Sequence, residues 1–168
     1  MKYYKQQEVE GESEWVFDEQ GYIRYIQTVH DALLPDLRLL CDRISGWSPG
    51  RIYLNDSNIK KVAADFGNQT VEIVLSGETL NQDLHQIGER LFTLHYGEVQ
   101  RLSCVGEYGN DPPFAALHGD HIWDEVEMIS QGLFEHRMLF VSNDHIELSV
   151  VFRQFRLTYS DTLYDDGA

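Results

Sequence analysis

From Ile122 to Leu157 apolar and polar residues alternate in three successive runs, broken by Ser130-Gln131-Gly132 and by Ser142-Asn143-Asp144-His145. Alternation with a period of two is the mark of half-buried strands, one face on a core and the other in water. Ile122, Val126 and Met128 share a face in the first run. Phe134, Met138 and Phe140 share one in the second, and Ile146, Leu148, Val150 and Phe152 in the third. A slip of one residue would turn each set into water, so the buried face selects the register. Keeping the sets together places residue 130 opposite 134 and 142 opposite 146, with three-residue loops at Gln131-Gly132-Leu133 and Asn143-Asp144-His145. On the outer face this register sets Glu127 against Arg137 and Glu135 against Arg153, two pairings of opposite charge that support it. A two-residue Gln-Gly turn is the alternative; it sets Glu127 against His136 and mixes the faces.

Upstream the period changes. Tyr22, Ile23, Ile26, Val29 and Leu33 recur at helical spacing, which predicts an amphipathic helix over 22–33. Pro35 should end or kink it, and Asp36 can cap a second helical piece carrying Leu37, Leu39, Leu40, Cys41 and Ile44. Gly46-Trp47-Ser48-Pro49-Gly50 reads as a loop. Beyond it, Ile52 and Leu54 mark a short strand, and Ile59 to Phe66 with Thr70 to Leu75 form a hairpin around Gly67-Asn68-Gln69. Leu80 to Gly88 is either a short helix or an irregular crossing. Leu91 to Tyr96 and Val99 to Val105 read as strands with Gly97 at a turn or bulge between them. A long Gly- and Pro-bearing loop spans 106–119. The sum is an α+β fold: an N-terminal helix packed on a curved, mostly antiparallel sheet that ends in a three-stranded meander. The expectation is a single domain over 1–168, with 1–14 and 160–168 as loose ends.

Charge narrows the classes of partner. Thirteen Lys and Arg against 28 Asp and Glu leave −15. Nucleic-acid binding runs on cations that neutralise phosphates, so this balance argues against it and favours steering toward a basic protein. Cys41 and Cys104 make no disulfide framework and read as free thiols in a reducing, cytoplasmic setting. The first fifteen residues contain no apolar segment of the secretory kind, and no run approaches a membrane span.

Candidate chemistry is sparse. His118, Asp120 and His121 offer N and O donors suited to a divalent metal, set against the plainer reading of a polar loop entering a strand. His136 lies on the apolar face between Phe134 and Met138; it is either a base or, more commonly at such positions, a core residue whose nitrogens are satisfied internally. His145 beside Asp144 reads as turn chemistry, and His30 with Asp31 as the polar side of the helix. Glu127 and Glu135 read as members of a charged ladder. Trp47 and Tyr108 lie in loops, where aromatic side chains serve as anchors for a partner. No phosphate-binding loop, nucleophile elbow, Cys/His dyad or cofactor motif is visible, which leans away from an enzyme.

The layout resembles small uncharacterised bacterial α+β proteins of unknown function. The residues that carry the likeness are Leu34-Pro35, Leu54-Asn55-Asp56, Gly119-Asp120, Asp124-Glu125-Val126 and Gly132 to His136. The likeness implies no activity, and Asn55 stands where the related element carries His. Three functions stay open. In order of preference they are an acidic protein-binding module such as an immunity-type inhibitor of a basic toxin, a small-ligand site between helix and sheet, and a metal-dependent enzyme using the His118/His121 loop.

Overall fold

A computed structural model describes residues 2–9, 12–42, 54, 57–81, 86–106, 120–141 and 145–163. Its elements in chain order are β1 (Tyr4–Val9), β2 (Glu12–Phe17), α1 (Glu19–Val29), a single 3-10 turn (His30–Ala32) and α2 (Pro35–Asp42). The strands β3 (Asn58–Asp65), β4 (Thr70–Asn81), β5 (Gln86–Gly97) and β6 (Arg101–Gly106) follow. The last four are β7 (Asp120–Ser130), β8 (Leu133–Val141), β9 (His145–Phe152) and β10 (Gln154–Leu163). The class is broadly α+β with strand predominating.

Residues 2–9, expected as part of a loose arm, instead supply β1, which pairs antiparallel with β2 in a small sheet of its own. The helical segment starts earlier than its apolar periodicity suggests. Asp18 caps α1 by accepting from Gly21 N–H at 2.8 Å. Pro35 is the first residue of α2, where its missing N–H costs nothing. Asp36 is not the cap: its carboxylate accepts from Leu157 N–H on β10 at 2.8 Å. Leu37, Leu40 and Cys41 are buried, while Leu39 faces out. Ile44 and Ile52 lie outside the described residues. In the segment 80–88 the described residues are strand: β4 runs to Asn81 and pairs with β5 from Gln86 onward, and residues 82–85 lie outside the described residues.

The remaining strands form one antiparallel sheet in the order β10-β5-β4-β3-β7-β8-β9-β6. β5 and β6 follow each other in sequence but are not neighbours: β5 lies between β10 and β4, and β6 pairs with β9. The link through Gly97 therefore crosses between two halves of the sheet. Among the described residues a single pair, Asn58 with Asp120, joins those halves along β3 and β7.

The halves face each other. β5 and β8 stand four places apart in the strand order, which in a flat sheet is about 19 Å. Yet the Tyr96 hydroxyl on β5 reaches His136 Nδ1 on β8 at 2.8 Å, and the Tyr96 ring lies 5.0 Å from that of Phe152 on β9. The sheet is folded back so that the inner rows of both halves make one core. Val71, Ile73, Leu75, Phe92, Leu94 and Tyr96 come from one side, and Phe134, Met138, Phe140, Leu148, Val150 and Phe152 from the other.

The register of β7 on β8 differs from expectation by two residues. Ser130 faces Leu133, so the turn is the two-residue Gln131-Gly132, with Gly132 at φ +68°. A bulge between Met128 and Ser130 then absorbs one residue, and Val126 faces His136. The bulge restores the facing that the short turn alone would lose, so the apolar sets still meet. β9 follows suit, with Phe134 opposite Phe152 and Val141 opposite His145.

Candidate functional site

The bulge rearranges the charged residues. Glu125, not Glu127, stands opposite Arg137, and Glu127 faces Glu135. Like charges placed across a sheet repel. Arg137 resolves this by reaching diagonally: its Nη2 donates to Glu127 Oε2 at 2.9 Å and to Glu135 Oε2 at 2.5 Å. Glu135 faces Val151 instead of Arg153. Its second oxygen accepts from Arg101 Nη2 at 2.7 Å and from Ser149 Oγ at 2.5 Å. Burial pushes the Glu135 carboxyl up, but the Ser149 and Arg137 bonds, the Arg137 charge and the Arg101 bond together hold it below the usual glutamate range. Glu125, also buried, accepts from the backbone amides of Lys2 and Tyr3 at 2.7 and 2.8 Å. The start of the chain is thereby tied to β7.

On the opposite face of β7 and β8 lies a buried polar chain. His136 is fully enclosed, and Tyr96 and Asp124 are 1% and 2% exposed. Tyr96 Oη lies 2.8 Å from His136 Nδ1, and His136 Nε2 lies 3.1 Å from Asp124 Oδ2. Burial first, and the Asp124 charge second, push the Tyr96 hydroxyl well above its usual range, so it keeps its proton. With one proton on the ring, Tyr96 O–H donates to Nδ1 and Nε2–H donates to Asp124, and all three groups are satisfied. This chain has the elements of a proton relay, but its members are sealed among Phe152, Phe155 and Met138. The arrangement is that of a core histidine with its nitrogens satisfied. Alternation does put Asp124 and Glu125 on opposite faces, as expected; both are nevertheless buried.

The other proposed residues fare differently. Trp47, Tyr108 and His118 lie outside the described residues. Asp120 and His121 open β7, their backbones paired with Val141 and Phe140. Among the described residues no three His, Cys, Asp or Glu side chains converge on a point that could hold a metal ion.

The space between helices and sheet is filled by Tyr22, Ile26, Leu37, Leu40 and the inner strand residues, all buried. An open depression of about 570 Å³ lies elsewhere, at the far end of β3, β4, β5 and β10. Glu72, His95, Gln154 and Arg156 line it beside Ala63 and Tyr96. The sequence reading missed this group. Each residue alternates normally within its own strand, and only the pairing of β4 with β5 and of β5 with β10 brings them together.

Comparison with protein-family models, curated proteins and solved structures finds no match to this chain. Among the described residues no helix is long and apolar enough to cross a membrane.

Proposed function

We propose that this chain is a non-catalytic, single-domain binding module for a basic protein, an immunity-type inhibitor of a basic toxin being the instance that fits its size and charge. The observation that carries the reading is where the cations go. Lys2, Lys60, Lys61, Arg90, Arg101 and Arg137 are each in ion pairs with the chain's own carboxylates. Arg38 and Arg153 are spent on backbone carbonyls. These cations are thus matched by acids of the same chain, and the sequence as a whole keeps its surplus of −15. The buried titratable groups support the same reading, since Asp124, Glu125, Glu135 and His136 are engaged in holding strands and the chain start together. Cys41 and Cys104 are thiols not joined in a disulfide, which fits a reducing, cytoplasmic setting.

Affinity capture from cells at low salt, with the retained proteins identified, tests this. A basic protein that is retained specifically and released as ionic strength rises is the expected result. Retention of no basic protein, or retention indifferent to salt, would contradict it.

A further inference from the structure

The depression at the β3-β4-β5-β10 end lies apart from the charged ladder of β7 and β8. Ala63, Glu72, His95 and Arg156 are direct cross-strand partners in a single row. The next row, through Val71 and Tyr96, is buried in the core, so this row faces outward. Glu72 is occupied on both oxygens: Oε1 accepts from Lys61 Nζ at 2.9 Å, and Oε2 lies 3.3 Å from His95 Nδ1. With Nδ1 turned to that carboxylate, Nε2 is turned away from it, and in the tautomer that carries its proton on Nδ1 this nitrogen is an acceptor.

Arg156 is the exception among the strand arginines. Arg90, Arg101 and Arg137 are in ion pairs with carboxylates, and Arg153 donates to Gly132 O. Among the described residues no group bonds the Arg156 guanidinium or His95 Nε2, and both side chains line the depression. Ala63 and Gly97 contribute small residues to its lining, and Gln154, packed against Gly97, is held to Glu98 at 2.5 Å.

We infer that this row binds a small carboxylate bearing a neighbouring hydroxyl group. The guanidinium fork takes the two carboxylate oxygens, and His95 Nε2 accepts the hydroxyl proton in a hydrogen bond. Direct cross-strand partners have Cβ atoms about 5 Å apart, a separation that one such small molecule can bridge. The acid surplus of the whole chain favours a monoanion over a polyanion at this place.

Titration with lactate, followed by NMR of the His95 ring and the Arg156 side chain, tests the site. Propionate, which lacks the hydroxyl, and inorganic phosphate serve as comparisons. Saturable shifts at both residues with lactate are expected, with propionate weaker by several-fold and phosphate weaker still. Arg156→Gln should weaken lactate binding about tenfold or more. Arg24→Gln, an equal charge loss on the exposed side of α1, should leave it unchanged. The inference is overturned if lactate gives no saturable shift, if propionate or phosphate binds as well as lactate, or if Arg156→Gln binds like the parent. None of these results depends on whether a basic protein partner exists.

Discussion

A histidine sealed inside a sheet has two nitrogens to satisfy, and His136 does so through residues from two other strands. Each member of that chain should then cost more to remove than an ordinary contact. Tyr96→Phe leaves Nδ1 without a donor and should lose ~1–3 kcal/mol in urea unfolding. Asp124→Ala leaves the other ring N–H unpaired in an apolar surround and should lose about 1–3 kcal/mol. An Asp124→Ala protein as stable as the parent would mean that the chain does not form. Glu135 makes a prediction in pH. Its carboxyl is held below the value it has in the unfolded chain, so its stabilisation is fully present above the ordinary glutamate range. That stabilisation disappears as pH falls through the lowered folded value. Acid unfolding of Glu135→Gln should accordingly show a shallower loss of stability below that range than the parent, and equal slopes would count against the network. At this scale the sequence was partly legible. The facing of His136 could be read from Phe134 and Met138. Its partners could not, because Tyr96 is 40 residues away and sits in a strand with no pairing to β8.

Among the elements, the helical pair serves as an edge cover. Beyond the Asn58–Asp120 pair, β7 has no strand partner on its outer side among the described residues. α1 supplies acceptors instead: Tyr22 Oη takes the Val126 amide at 2.6 Å, and Tyr25 Oη takes that of Met128 at 2.7 Å. α2 does the same for β10, through Asp36 on Leu157 N–H. Exposed strand edges are templates for aggregation, and here three side chains blunt two of them. Tyr22→Phe should leave a buried amide unpaired at a cost of ~1–3 kcal/mol. It should also speed hydrogen exchange at Val126 while leaving exchange in β4 and β5 unaltered; unchanged exchange at Val126 would remove the edge-cover role. The amphipathic helix and most strands were readable from periodicity alone. The contact of Glu127 with Arg137 was readable too, though it runs diagonally; that Glu125 stands opposite Arg137 and that Glu135 meets Arg101 instead of Arg153 was not. The two-residue Gln131-Gly132 turn and the bulge beside Ile129 together shift the ladder by two residues without turning the apolar face, so hydrophobic pattern carries no trace of them.

For the molecule as a whole, the decisive feature is that the two halves of the sheet close on each other. That closure buries His136 and Asp124, while Glu125 and Glu135, on the other face, are held by the Lys2 and Tyr3 amides and by Arg101, Arg137 and Ser149; the two proposals rest instead on the acid surplus and on the row at His95 and Arg156. Alternation predicts strands but not which distant strands meet, so the closure had no signature in the sequence. Nuclear Overhauser contacts between the Tyr96 ring and the rings of Phe152 and His136 test it most directly. The account predicts strong cross-peaks for both, with the Tyr96 and Phe152 rings 5.0 Å apart. Their absence, with cross-strand contacts between β4 and β5 still present, would describe an open sheet and contradict the account.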